Sequence, residues 1–521
     1  MNRRQALGTL GSSAIGAMLA GGCSSAATAS QPNILYIMSD DHATNAISAY
    51  GSRLSSVLPT PNIDRLAAEG VKLNNCLCTN SICTPSRACI LTGQYNHING
   101  VYTLHDTLDP DRANVAKELQ QQGYETAMIG KWHLKSNPTG FDYWKVLPGQ
   151  GLYHNPIFKE KGKHTGAAIK DGKGQQYEGY CTDVIMDLTL DWLKNREGEK
   201  PFFLMCHNKA PHGKWEYAER HADLFKDIDI PEPASLWEDK SHRSISTRDR
   251  GTGMYQLGQR MGGVIDPRPW PTGKLDITGM DEAEIKRVAY QKYLKEYLRC
   301  VAAVDENVGR LLDYLDETGL SENTLVIYTS DQGMFLGEHE YYDKRWIYEE
   351  SMKMPFLARL PGKIEAGSTS DALVSNVDFA PTFLDYAGAA TPDYMQGHSA
   401  KQVLSGDTPD DWQQSVYYRY WMHMTSHENV AHYGVRTEQY KLIFFYGLPL
   451  DAAGAVQVVA EPGWELYDLA KDPKELHNVY DDAAYSAVVK DLKAELIRLK
   501  DEVGDEDEKY PEIMQLREQS W

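Results

Sequence analysis

Positive charge is scarce in this chain. Its 521 residues carry 53 Lys and Arg against 73 Asp and Glu, a formal net charge of −20. So acidic a surface argues against nucleic acid or an anionic membrane face as the main partner, although a local cationic pocket still admits an anionic substrate. Long apolar runs are lacking too. Beyond the first thirty residues no stretch of about 18 apolar residues occurs, which excludes a helical integral membrane protein. Cysteine is sparse, with 8 residues at irregular spacing and no CxxC pair, so zinc-ribbon, dithiol-redox and disulfide-framework readings fall away. Internal repeats and low-complexity tracts are absent as well. With 42% hydrophobic and 24% charged residues the chain has the makings of a large globular core, and its length suggests roughly two to four domains.

The start of the chain lacks acid altogether, the first acidic residue being Asp40. Arg3 and Arg4 precede a weakly apolar stretch from Ala6 to Ala20, followed by Gly21-Gly22-Cys23 and a tail of small residues. This layout is that of a secretory leader over residues 1–30. The arginine pair resembles a twin-arginine signal, and Cys23 resembles a lipoprotein cleavage site with Leu19 one place too far upstream. The expectation is an exported bacterial protein, periplasmic or lipid-anchored through Cys23 to a membrane or cell surface.

From Pro32 onward strand and helix patterns alternate. Asn33–Met38, Thr126–Ile129, Phe202–Cys206 and Leu325–Thr329 read as short buried strands. Helical spacing is seen at Pro61–Gly70, Val115–Gln122, Thr182–Asn195 and Glu284–Thr318. Alternation of this kind predicts βαβ units and a mostly parallel sheet, an α/β class. The polar, Gly- and Pro-containing stretch from Glu238 to Gly279 reads as an insertion or long loop. After about Gly397 the texture changes. Val416–Tyr420, Tyr433–Arg436, Lys441–Tyr446 and Trp464–Leu469 read as strands on short turns, and Ala483–Val503 as an amphipathic helix. The predicted organisation is a catalytic domain over 31–400 and a smaller α+β domain with an antiparallel sheet over 401–521.

Chemistry gathers at the ends of the predicted parallel strands. They run into Asp40-Asp41, Lys131-Trp132-His133, Lys209-Ala210-Pro211-His212 and Asp331-Gln332. In open α/β sheets ligands bind beyond the carboxyl ends of the strands, so Asp40, Asp41, Lys131, His133, His212 and Asp331 are expected on one rim. Asp40, Asp41, Asp331 and the amide oxygen of Gln332 are hard oxygen ligands suited to calcium or magnesium rather than zinc or copper. A single Asp in such a place more often caps a helix or turn; two clusters together favour a metal. Cys83-Thr84-Pro85-Ser86-Arg87 places a Cys at a helix start, where free N–H groups favour anions, with Arg87 one turn on.

These motifs resemble the formylglycine-dependent type I sulfatases of the alkaline phosphatase superfamily. Their C-x-P-S-R-x4-T-G signature stands as CTPSRACILTG, Cys83 to Gly93, and their second signature as GYETAMIGKWH, Gly123 to His133. Asp40-Asp41, the APH at His212, Asp331-Gln332 and the DKR at Lys344 match in order, over about Pro32 to Tyr480. The resemblance implies an alkaline-phosphatase-like α/β/α sandwich and a sulfuric ester hydrolase. It implies that Cys83 is oxidised to formylglycine (3-oxoalanine) by a formylglycine-generating or sulfatase-maturating enzyme. The hydrated aldehyde would attack the sulfur of a sulfate ester, with Ca2+ held by Asp40, Asp41, Asp331, Gln332 and residue 83. Arg87, Lys131 and Lys344 would supply cations, His133 would orient or deprotonate the diol, and His212 would protonate the leaving oxygen. Gln332 stands where many relatives carry Asn or His.

The stretches His207 to Tyr217 and His432 to Tyr446 look like those of carbohydrate sulfatases, including those for N-acetylglucosamine-6-sulfate. A sulfated polysaccharide or oligosaccharide is therefore the expected substrate. Trp215 as a sugar-stacking ring, and His339, His423, His427 and His432, are expected near it. Two other readings remain open at this point: a formylglycine-dependent phosphodiesterase or phosphonate monoester hydrolase, and a non-catalytic glycan-binding homologue.

Overall fold

The computed structural model describes residues 31–164 and 173–521. The predicted leader, with Arg3, Arg4 and Cys23, lies outside the described residues. Among them, ten strands form one sheet. At its centre Asn33–Ser39 pairs in parallel with Phe202–Asn208 on one side and Thr324–Ser330 on the other. Glu125–Lys131 continues the parallel run against Phe202–Asn208 and Tyr143–Leu147. Phe356–Arg359 joins Thr324–Ser330 antiparallel. The α/β class and the mostly parallel sheet are as the sequence predicts.

Alternation explains why these strands read as unbroken apolar runs. Ile34, Tyr36 and Met38 enter the core on one face of the sheet, and Leu35 and Ile37 enter the core on the other. Both faces are covered, so from Ile34 to Met38 the strand is apolar throughout apart from the Tyr36 hydroxyl. The second face is closed by the helices Cys181–Asn195 and Glu282–Glu317. The latter starts two residues earlier than its hydrophobic pattern. A capping box fixes its start: Asp281 Oδ1 accepts the Glu284 N–H, and Glu284 Oε2 accepts the Asp281 N–H, each at 2.9 Å.

The stretch predicted as a long loop holds a helix, Met254–Met261, which packs on Glu282–Glu317. Met254, Leu257 and Met261 bury one side of it; the polar and glycine-rich neighbours masked this short stripe. In the C-terminal region Ser415–Tyr420, His432–Thr437, Tyr440–Phe445 and Gly463–Asp468 form a four-stranded antiparallel sheet, with the helix Ser486–Val503 packed on it. Its Val416, Tyr418 and Tyr467 join the same apolar cluster as Ile34 and Tyr36, so this sheet shares the core of the large one. Among the described residues no helix is long and apolar enough to cross a membrane.

Candidate active site

Register places the chemistry. Ser39 is level with Asn208 on one side and Ser330 on the other, so Asp40, Lys209 and Asp331 leave the sheet at one height. Gly130 faces His207 in the next strand. It has φ +106°, and a Cβ there would lie 1.9 Å from the His207 carbonyl oxygen. Only glycine permits this bend, and the bend delivers Lys131 to the rim. Asp41 and His133 also sit at positive φ, 65° and 58°. Backbone of this kind persists where the surroundings over-determine it, as they do at functional sites.

Cys83 begins the helix Cys83–Thr92, every residue of which is buried. Gly93 ends it in the left-handed conformation, its N–H bonded to the Cys89 carbonyl. Arg87, one turn in, donates from Nε to Asp331 Oδ2 at 2.9 Å and from Nη1 to the Lys131 carbonyl at 2.6 Å. Its Nη2 lies 3.4 Å from Asp40 Oδ1. Lys131 Nζ bonds Asp40 Oδ2 and Gln150 Oε1. Lys344 Nζ donates to Asp41 Oδ2 at 2.6 Å. His212 Nε2 lies 3.7 Å from the same oxygen, and its Nδ1 meets the Gly213 carbonyl at 2.6 Å. His133 reaches the helix start, where the Thr84 hydroxyl donates to its carbonyl at 3.0 Å. Cys83, Arg87, Lys131, His133, His212 and Lys344 thus share one buried rim with Asp40, Asp41, Asp331 and Gln332.

Burial dominates the electrostatics. It pushes the Cys83 thiol up to about 11 against the pull of Lys344, so at neutral pH the thiol keeps its proton. It raises Asp41 to about 6, again against Lys344. Asp331 is held below the usual carboxylate range because Arg87 and Lys131 overcome its burial. Burial, with Lys131 and Lys344, pushes His212 well below its ordinary value, and burial with Lys131 and Arg87 does the same to His133. Both imidazoles are neutral in the protein alone.

The residues fit a hard cation. Asp40, Cys83 and Asp331 each offer a ligand atom, all within 4.8 Å of one another. Asp40 Oδ1 and Gln332 Oε1 are buried without a hydrogen-bond partner. Buried oxygens without partners are costly and rare, and a metal is one of the few things that satisfies them. The Gln332 amide already donates to Asp41 Oδ1, which leaves its oxygen free to ligate.

Four expected substrate residues need correction. Trp215 is 3% exposed, its ring 4.3 Å from that of Tyr293, so it is a core residue and no sugar platform. His432 is buried among Trp346, Tyr418 and Phe445, with Nδ1 on the Val430 carbonyl. His423 is buried and accepts the Ala431 N–H, so it braces its own loop. His339 is wholly buried against Glu238, Arg243 and Glu350, with no bond to the rim. A His in an aromatic strand gives no sequence sign of which way it faces. His427 differs: it is partly exposed, and its Nε2 lies 3.6 Å from Asp343, the neighbour of Lys344.

Two residues were given no role by the sequence: Gln150, which is not in any motif, and Lys209, which the sequence names only as a strand-end residue. Gln150 sits in a glycine-rich turn with no motif around it. Lys209 is buried with Nζ 4.4 Å from the Tyr153 ring centroid, and its charge helps depress Lys131 and His212. Its position directly after a parallel strand was the available signal.

Comparison with known proteins shows the family. The sulfatase family model matches residues 32–389, and the model for the C-terminal part of N-sulphoglucosamine sulphohydrolase matches 337–502. The chain is 41% identical to the N-acetylglucosamine-6-O-sulfatase of Bacteroides thetaiotaomicron, over 92% of this chain and 88% of that one. It is 29% identical to the human N-acetylglucosamine-6-sulfatase, over 77% of this chain and 70% of that one. A solved structure of a protein in complex with its substrate D-glucosamine-2-N,6-O-disulfate superposes with a TM-score of 0.80 at 40% identity, covering 92% of this chain and 99% of that one.

Proposed function

The chain belongs to the sulfatase family, and we propose that it removes 6-O-sulfate from glucosamine units of a sulfated carbohydrate. The observation that carries the reading is the seating of Cys83 at a helix N-terminus within reach of the charges of Arg87, Lys344, Asp41 and Asp331, with His212 3.7 Å from the same Asp41. The choice of sugar rests on the named activity of the relative at 41% identity.

In this reading Cys83 is converted to formylglycine by a maturating enzyme, and its hydrate supplies the nucleophile that a buried, protonated thiol does not. Calcium would be held by Asp40, Asp41, Asp331 and Gln332 together with residue 83, and would supply positive charge against the sulfate oxygens. The protein's own cations do the remaining electrostatic work. Arg87, Lys131 and Lys344 fix the sulfate group and oppose the negative charge that spreads over it in the transition state. An anionic ester among these cations offsets the charges that depress His212, so the imidazole can take up a proton and pass it to the leaving sugar oxygen. His133, held beside Thr84, orients the hydrated residue 83. His427, partly exposed beside Asp343, would meet the sugar in this reading. The exported, lipid-anchored location belongs to the same proposal and rests on Arg3, Arg4 and Cys23 alone.

The test is a screen of matured protein with calcium on N-acetylglucosamine 6-sulfate, glucosamine N,6-disulfate, an aryl sulfate and an aryl phosphate diester. Sulfate release is expected to be fastest from the 6-sulfated sugars. A dominant phosphodiester rate would replace the proposal with a phosphodiesterase, and no turnover with retained glycan binding would replace it with a binding protein.

A further inference from the structure

Away from the rim, His339, Glu350 and Glu475 bring one imidazole nitrogen and two carboxylate oxygens within 4.8 Å of one another. We propose that these three residues form a second metal site, for a divalent transition ion of the zinc type.

Three observations carry this. The first is the state of the atoms. His339 Nε2 and Glu350 Oε2 are buried with no hydrogen-bond partner, and they lie 3.6 Å apart, too far to bond directly. His339 Nδ1 lies 2.6 Å from Glu238 Oε2 and 2.7 Å from Arg243 Nη2; in the Nδ1–H tautomer, which the site requires, the ring proton is given to that carboxylate. The Nε2 lone pair is then aimed into the cluster. A carboxylate behind a histidine is the usual outer support of a histidine that ligates metal.

The second is spacing and charge. Tetrahedral zinc with bonds of about 2.1 Å separates its ligand atoms by roughly 3.4 Å, close to the 3.6 Å seen here. Glu349 is paired with Arg436 and Lys441, and Glu238 with Arg243. Glu475 shares Lys441 at 2.8 Å and accepts the Glu349 N–H at 2.7 Å, and among the described residues Glu350 has no ion-pair cation other than His339. Lys353 also lies 3.5 Å from Glu349, so four cations face the four carboxylates, and Glu350 is the carboxylate without a Lys or Arg partner. One nitrogen and two oxygens suit zinc better than calcium.

The third is backbone and access. His339 and Glu475 both adopt positive φ, 56° and 53°, as non-glycine residues. Glu350 also lines a surface hollow with Asn45, Glu349, Lys353, Arg436 and Lys474, through which an ion and a fourth, water ligand can enter. An ion there would tie the Glu338–Glu340 turn and the helix Glu349–Met352 to the C-terminal segment carrying Glu475.

The rival occupant is a proton, making His339 an imidazolium shared between Glu238 and Glu350. Full-length protein loaded with zinc in excess calcium, dialysed and measured for metal content, separates the two. The expected result is one zinc per chain, lost in His339→Gln while calcium content is unchanged, with zinc raising the melting temperature of wild type only. If His339→Gln does not fold, crystals of wild type soaked in zinc decide the matter. An anomalous peak about 2.1 Å from His339 Nε2 supports the site. No peak there, or zinc retention unchanged in His339→Gln, overturns it.

Discussion

Asp331 and Arg87 are bonded across the rim, Nε to Oδ2 at 2.9 Å, while Asp331 Oδ1 accepts the Asp41 N–H at 3.1 Å. One carboxylate thus joins the Cys83 helix to the ends of two central strands. Removing it takes away a proposed metal ligand and also strands a buried guanidinium, a loss of about 3–5 kcal/mol. Asp331→Ala should melt at a lower temperature and should not recover activity in excess calcium. Chelated wild type should regain activity when calcium is returned. Full activity in a metal-depleted sample would remove calcium from the mechanism.

In the proposed mechanism His212 acts on the leaving group, so its value depends on how poor that group is. General acid catalysis contributes about 10²–10⁴-fold. His212→Ala should lose roughly that factor on a sugar 6-sulfate and far less on an activated aryl sulfate. Arg87→Ala should damage both alike, since the sulfate is common to them. Equal losses for His212→Ala would assign the histidine to sulfate binding.

Gly130→Ala tests the bend that delivers Lys131. The φ of +106° costs about 1–3 kcal/mol for a side-chain residue, before the contact with the His207 carbonyl is relieved. The variant should show a lowered melting temperature and a loss of kcat larger than its loss of folded protein. Wild-type melting and kcat would mean that the strand accommodates a Cβ.

The C-terminal sheet is clamped by charge. Asp505 is buried between Arg419 Nη1, 2.6 Å away, and Lys500 Nζ, 3.2 Å away. Burial works to raise its pKa, but Arg419 and Lys500 overcome that and hold it far below the usual range. A depressed carboxylate stabilises the fold above its unfolded value of about 4, and that contribution fades as pH falls below it. Asp505→Asn should therefore melt below wild type at neutral pH, with the gap closing in acid. A gap independent of pH would show that Asp505 acts through packing alone.

Much of this was legible in the sequence because both-face burial and signature spacing are local properties. The run Asn33–Met38 marks a central strand, and Cys83 with Pro85 marks a helix start. What the sequence hides is the direction of a side chain relative to distant elements. Trp215 and His432 carry polar atoms on large rings and suit either a sugar or a core; Tyr293 and Phe445, which decide the matter, come from elsewhere in the chain. His339, expected near the substrate, is a similar case. Its partners, Glu238 in the polar insertion and Glu350 after the turn, draw it into a separate buried cluster.

The central claim is that residue 83 is the nucleophile only after it ceases to be a thiol. Intact mass and sulfate release measured on the same preparations test it directly. Converted protein should be about 18 Da lighter than the thiol form, or equal to it in mass when the aldehyde is hydrated, so a peptide map should locate the change to Cys83. Turnover should scale with the converted fraction and vanish in Cys83→Ala with folding intact. Full activity from protein whose Cys83 is still a thiol would contradict the account.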